Sequence, residues 1–158
     1  MQFPIKEKKH RLDKDLYRGI KVVSFTLCIK DRIPFFTSMN IFKKIEEILL
    51  IELGRFQCSA EVYLFMPDHC HLVLRGDTDE SDVLHAVKFF KQKSGYWLYT
   101  NHPNVHWQKD FYDHILRDEV EIPRHVHYVL DNPIRKGIVL DWKKYPYKGS
   151  TIHNFDEW

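Results

Sequence analysis

The 158-residue chain is 44% hydrophobic and 15% aromatic, with 24 Lys and Arg against 22 Asp and Glu and a formal net charge of +2. That length and apolar content exclude a disordered tail and fit one domain, 1–158, with a core rich in Phe and Tyr. Three cysteines, Cys28, Cys58 and Cys70, are odd in number and lack a Cys-x-x-Cys spacing, which argues against a disulfide framework or zinc knuckle and suits a reducing cytoplasm.

Charge is concentrated at both ends. Residues 1–21 hold seven basic residues against Glu7, Asp13 and Asp15, and residues 134–149 hold five against Asp141, so each end is locally +4 (7 − 3 and 5 − 1). A phosphate-rich partner would suit such ends, and so would plain solvation. We read 1–16 as a basic arm and 148–158 as a tail. No apolar segment follows Lys6, Lys8, Lys9 and Arg11, and no run reaches membrane-spanning length, so the expectation is a soluble cytoplasmic chain with no membrane partner.

In chain order, Val22 to Lys30 is β-branched and apolar and predicts a buried strand that breaks at Asp31-Arg32-Ile33-Pro34. From Asn40 as N-cap, Ile41, Ile45, Ile48 and Leu49 recur at helical spacing up to Gly54, a C-terminal stop. Residues 57–65 and 69–75 are two apolar strands joined through Met66-Pro67-Asp68, hence antiparallel neighbours. Alternation along the second strand puts His69 and His71 on one face and Cys70 on the other. Two such imidazoles can chelate a divalent cation through neutral nitrogens; a half-exposed strand with no ligand role carries the same spacing.

Asp77 to Ser81 is a turn before a helix with Val83, Val87, Phe90 and Trp97 buried. Its Lys88 and Lys91 share another face, which could track a nucleic-acid backbone or simply meet solvent. Residues 100–104 are loop, and 107–117 are irregular, ending in a short strand. A last helix covers roughly 119–132. There Ile122, Val126, Val129 and Leu130 form the buried face, while His125, Tyr128 and Asn132, at i, i+3 and i+7, form a polar one. Pro133 sets Asn132 at the final turn, free to project into a cleft. Read alone, Tyr128 is better taken as a partly buried helix tyrosine with its hydroxyl satisfied. The order of elements predicts an α+β sandwich, an antiparallel sheet with helices packed on one face and the histidine hairpin at its centre.

Met66-Pro67-Asp68-His69-Cys70-His71-Leu72-Val73, then Trp107-Gln108 through Asp113-His114-Ile115-Leu116-Arg117, then His127-Tyr128-Val129-Leu130-Asp131-Asn132-Pro133 to Gly137 stand in a fixed order. Together with Tyr17-Arg18-Gly19 and Ser24-Phe25-Thr26, they resemble the single-tyrosine transposases of the His-hydrophobe-His (HUH) superfamily, above all the REP-associated branch, over roughly residues 17–147. The resemblance implies a ferredoxin-like fold. It also implies cutting and rejoining of single-stranded DNA, often beside a hairpin, through a covalent 5′-phosphotyrosine. By position it makes Tyr128 the nucleophile and His69, His71 and Asn132 the ligands of a divalent cation, magnesium or manganese. Cys70 departs from the larger aliphatic residue usual between the histidines and should pack inward as a small hydrophobe.

A phenol with an ordinary pKa near ~10 must lose its proton during attack, and His114 or His125 could take part. Lys88, Lys91, Arg117, Arg135, Lys136, Arg11 and Arg18 are the candidates for phosphate contacts. Trp107 and Tyr112 could stack on bases or belong to the core. Two alternatives stay open: a host-adopted DNA-binding protein that keeps the fold without cutting, and a hydrolase in which water attacks. Monomer and homodimer are both compatible with the sequence.

Overall fold

Between residues 22 and 116 the chain runs strand, helix, strand, strand, helix, strand. In the computed structural model, which describes residues 7, 8 and 14–158, the elements are β1 (Glu7–Lys8), β2 (Val22–Cys28), α1 (Met39–Arg55), β3 (Cys58–Met66), β4 (His69–Gly76), α2 (Val83–Asn101), β5 (Phe111–Leu116), α3 (Glu121–Leu130), α4 (Asn132–Arg135) and β6 (Lys148–Gly149). The strands form one antiparallel sheet in the order β1-β5-β2-β4-β3-β6. Its four inner strands have the topology of a ferredoxin-like sandwich, with β2 and β4 at the centre.

The alternation of β4 decides which face does what. Cys70, Leu72 and Leu74 join Phe25 and Leu27 of β2 in the larger core, under α1 and α2. Val73 faces the other way, with Val62, Leu64 and Met66 of β3, in a smaller core closed by Val126, Val129 and Leu130 of α3. In β3 a register shift between Ala60 and Val62 moves successive side chains to the opposite face, which a one-residue bulge requires. The two long helices therefore lie on one face, as predicted, and the opposite face is also covered, by the shorter α3. Residues 148–158, read as a tail, contribute there too: β6 pairs with Tyr63 and Leu64, and Phe155 enters the smaller core.

Several boundaries differ from expectation for local reasons. The cap of α1 is Ser38, whose Oγ accepts from the Ile41 amide at 3.3 Å, not Asn40. The helix runs past Gly54, and the left-handed residue that turns the chain is Gln57, at φ 57°. The predicted last helix is two pieces: α3 ends at Leu130, and Pro133, placed in the first turn of α4, starts a new one. His125 belongs to the buried side of α3, 1% exposed, because the Ser24 hydroxyl of β2 meets its Nε2 at 2.7 Å.

Candidate functional site

On the α3 side of the sheet, a cleft of about 640 Å³ is lined by Thr26 and Cys28 of β2, Arg32, His69 and His71 of β4, Tyr112 of β5, Tyr128 of α3, and Asn132, Arg135 and Lys136 at α4. Register explains the floor. Cys28 pairs with His69 and Thr26 with His71, so the four side chains share one face of the two central strands.

The histidine rings are fixed from behind. Asp68 Oδ1 accepts from His69 Nδ1 at 2.7 Å, and Thr26 Oγ1 lies 3.2 Å from His71 Nδ1. A carboxylate can only accept, so the His69 proton sits on Nδ1, whereas the Thr26 hydroxyl can donate to or accept from His71 Nδ1. The two Nε2 atoms face each other across 3.2 Å. Nitrogens bonded to a common cation at about 2.0–2.1 Å would stand roughly 3 Å apart, so the pair has the spacing of adjacent ligands.

Asn132 could supply a third donor: its side-chain amide nitrogen lies 2.9 Å from His71 Nε2. A half-turn of that amide presents oxygen in place of nitrogen. Among the described residues no three His, Cys, Asp or Glu side chains gather to hold a metal; two imidazoles and an amide are the groups in this cleft that could hold one. All three donors are neutral and fit a divalent cation. Burial, then the neighbouring His69 and His125, holds His71 well below the ordinary histidine value. Burial lowers His69 as well, against the opposing pull of Asp68. Both rings are therefore in the neutral form that a ligand needs.

Arg32 reaches the site through a turn in which Asp31 and Arg32 both take left-handed backbone angles, φ 63° and 54°. Its Nε donates to Asp68 Oδ2 at 2.9 Å and its Nη1 to Cys28 Sγ at 3.7 Å. Partial burial alone would raise Asp68, but the hydrogen bonds from Arg32 and His69 hold it below the usual carboxylate range. On the opposite wall, the Arg135 guanidinium lies 3.9 Å from the centre of the Tyr128 ring, and its Nη2 donates to the Tyr128 carbonyl at 2.8 Å. His125 stacks beside Tyr128, centroids 5.9 Å apart.

The site thus brings together His69, His71, Tyr128, Asn132, Arg135 and Lys136. Other expected residues lie elsewhere. Lys88 and Lys91 are on α2, across the sheet, and Lys91 Nζ donates to the carbonyls of Gln108 and Lys109 at 2.8 and 2.9 Å. Arg18 is 3.7 Å from Asp82, and Arg117 lines a separate hollow with Lys21 and Arg75 at the far end of the sheet. Arg11 lies outside the described residues. His114 does not line the cleft and bonds Glu121 at 3.0 Å. Trp107 packs on Phe36 and Phe90 in the core, whereas Tyr112 faces the cleft. Thr26 and Asp68 were missed by sequence reasoning, although strand alternation and adjacency to His69 pointed to them. Arg32 left no such signal.

The family model described as "Transposase IS200 like" matches residues 21–131. A protein of Haemophilus influenzae Rd described as a REP-associated tyrosine transposase is 26% identical over 151 residues, 82% of this chain and 78% of that one. A solved REP-associated tyrosine transposase bound to a REP hairpin is 17% identical, with a TM-score of 0.75 over 89% of this chain and 81% of that one. A transposase structure from Deinococcus radiodurans, also 17% identical, has a TM-score of 0.52 over 79% of this chain and 96% of that one.

Proposed function

The chain belongs to the IS200-like transposase family, and from that membership we propose that it cuts and rejoins single-stranded DNA beside a hairpin, with Tyr128 as the nucleophile. The observation that carries this reading is the meeting of Tyr128 with His69, His71, Asn132 and Arg135 in one cleft. A REP hairpin is what the solved relative holds, and we take a hairpin with single-stranded flanks as the substrate class.

A phosphodiester resists attack because it is anionic. Arg32, Arg135 and Lys136 give the cleft a positive lining that draws the backbone in. Tyr128 Oη attacks phosphorus and the bond from phosphorus to the 3′ oxygen breaks. The DNA 5′ phosphate stays on the tyrosine, and the 3′ oxygen leaves as a hydroxyl after gaining a proton. A divalent cation, magnesium or manganese, held by His69, His71 and Asn132 would act as a Lewis acid, withdrawing charge from a non-bridging phosphate oxygen. The phenol's own proton goes to water. Burial, with His114 beside it, lowers His125 to about 4, too weak a base to keep that proton. Attack by a 3′ hydroxyl on the phosphotyrosine reverses the step and rejoins the strand, so no nucleotide cofactor is needed.

The test is incubation of the full chain with end-labelled hairpin DNA and manganese, followed by SDS electrophoresis. The proposal predicts a labelled protein band that Tyr128→Phe abolishes. Cleaved DNA without the band would make water the nucleophile. A mobility shift with neither product would leave a DNA-binding protein that does not cut.

A further inference from the structure

The lysines of α2 do not reach the cleft, yet that helix presents a surface the cutting reaction leaves unexplained. Tyr96 and Tyr99 are each 70% exposed, whereas every other described Phe, Tyr and Trp is buried or half-buried. Among the described residues neither ring makes an aromatic or cation–π contact. At 100° per residue, Lys88, Gln92, Tyr96 and Tyr99 fall within an arc of roughly 80°, a stripe roughly 16 Å long. Lys88, Gln92 and Lys93 are exposed, and neither lysine has an ion-pair partner among the described residues. From Val83 to Asn101 the helix contains no Asp or Glu. Two rings one turn apart, framed by cations, suit stacked bases and a phosphate backbone.

Position favours the same occupant. The C-terminal half of α2 stands at the catalytic end of the sheet: Trp97 packs on Phe35 with centroids 6.5 Å apart, and the Phe35 amide donates at 2.7 Å to the carbonyl of Pro67, two residues before His69. The loops between carry exposed Lys30, Arg32 and Lys109. These cations stand on the loops at the end of the sheet where the cleft and the C-terminal half of α2 meet.

We propose that Tyr96 and Tyr99, flanked by Lys88 and Lys93, form a second site on α2 that binds the single-stranded flank of the DNA by base stacking. The proposal rests on the reading of the cleft as a DNA-cutting site, and its test separates the two. Fluorescence anisotropy without divalent metal would compare a hairpin with a minimal flank and the same hairpin carrying ten further unpaired nucleotides at either end. The wild-type chain should bind the extended DNA at least about thirtyfold more tightly, from stacking on two rings. Tyr96→Ala with Tyr99→Ala should lose that gain and keep both minimal-hairpin affinity and covalent adduct yield. Tyr96→Phe with Tyr99→Phe, which preserves the rings, should keep the gain.

If extension adds nothing in the wild type, or if the alanine pair retains the gain, the site is not a DNA site and the rings serve a protein contact. Loss of the gain in the phenylalanine pair would also overturn stacking as its basis. A wild-type chain that forms no adduct but shows a tyrosine-dependent gain would refute the cutting reaction alone.

Discussion

Arg135 holds Tyr128 twice, through its guanidinium 3.9 Å from the ring centre and through a 2.8 Å hydrogen bond from Nη2 to the tyrosine's own carbonyl. The two residues are seven apart, and the break between α3 and α4 lets the later one fold back over the earlier. A cation over a ring contributes about 0.5–2 kcal/mol, and here it also fixes the phenol's direction. Arg135→Ala should slow adduct formation about tenfold. Arg135→Lys should recover part of the loss, because it keeps the charge without the planar stack. Single-turnover rates at saturating DNA would separate this effect from weaker substrate binding.

Asp68 sets the tautomer of His69, and the Thr26 hydroxyl holds His71 through its Nδ1. Partners of that kind typically contribute 10–100-fold in metal affinity. Asp68→Asn should weaken manganese binding by about tenfold while leaving the fold intact, and His71→Ala should remove it. Titration calorimetry with manganese and no DNA would read both directly.

Histidine burial makes stability depend on pH. His125 titrates at about 4 in the folded chain against an ordinary 6.5, and His69 and His71 are shifted in the same direction. The unfolded chain therefore takes up protons first. Stability is complete above about pH 6.5 and falls as pH drops toward 4. His125 alone accounts for a loss of about 2 kcal/mol by pH 5. In metal-free urea denaturation, His125→Asn should flatten the decline between pH 7 and 5 by about that amount.

A close approach at the far end of the sheet gives a prediction independent of the site. A Cβ at Gly76 would collide with the carbonyl oxygen of Gly19 and stand 2.9 Å from the Ser81 Cβ. Because the obstacle is backbone, Gly76→Ala should destabilise the chain by about 1–3 kcal/mol. At Gly54 a Cβ would have nothing within 4 Å, so alanine there should cost little or give a slight gain. Thermal denaturation of the two variants side by side would check the contrast.

Much of this arrangement was legible before any coordinates, because strand alternation is rigid. It put His69 and His71 on one side and Cys70 on the other, and Cys70 is fully buried in the larger core. The helical repeat likewise found the buried face of α1. The capping residue was harder to read, since Ser38 and Asn40 are both good caps two positions apart and only backbone geometry chooses between them. His125 looked polar by periodicity, yet a hydroxyl from a strand 101 residues away makes its burial tolerable. Basic residues were the least legible. Charge carries no direction along a sequence, so Arg135 and Lys136 could not be told from Lys88 or Arg117 until the topology put the first pair on the histidine side.

The proposed chemistry stands or falls on a bond between Tyr128 and a DNA 5′ phosphate. Mass spectrometry of a nuclease-trimmed tryptic digest, taken after reaction of the full chain with hairpin DNA and manganese, detects that bond itself. One peptide, containing Tyr128, should be heavier by a nucleotide 5′ phosphate and missing from the Tyr128→Phe digest. A nucleotide on any other residue, or cut DNA with every peptide unmodified, would rule out Tyr128 as the nucleophile.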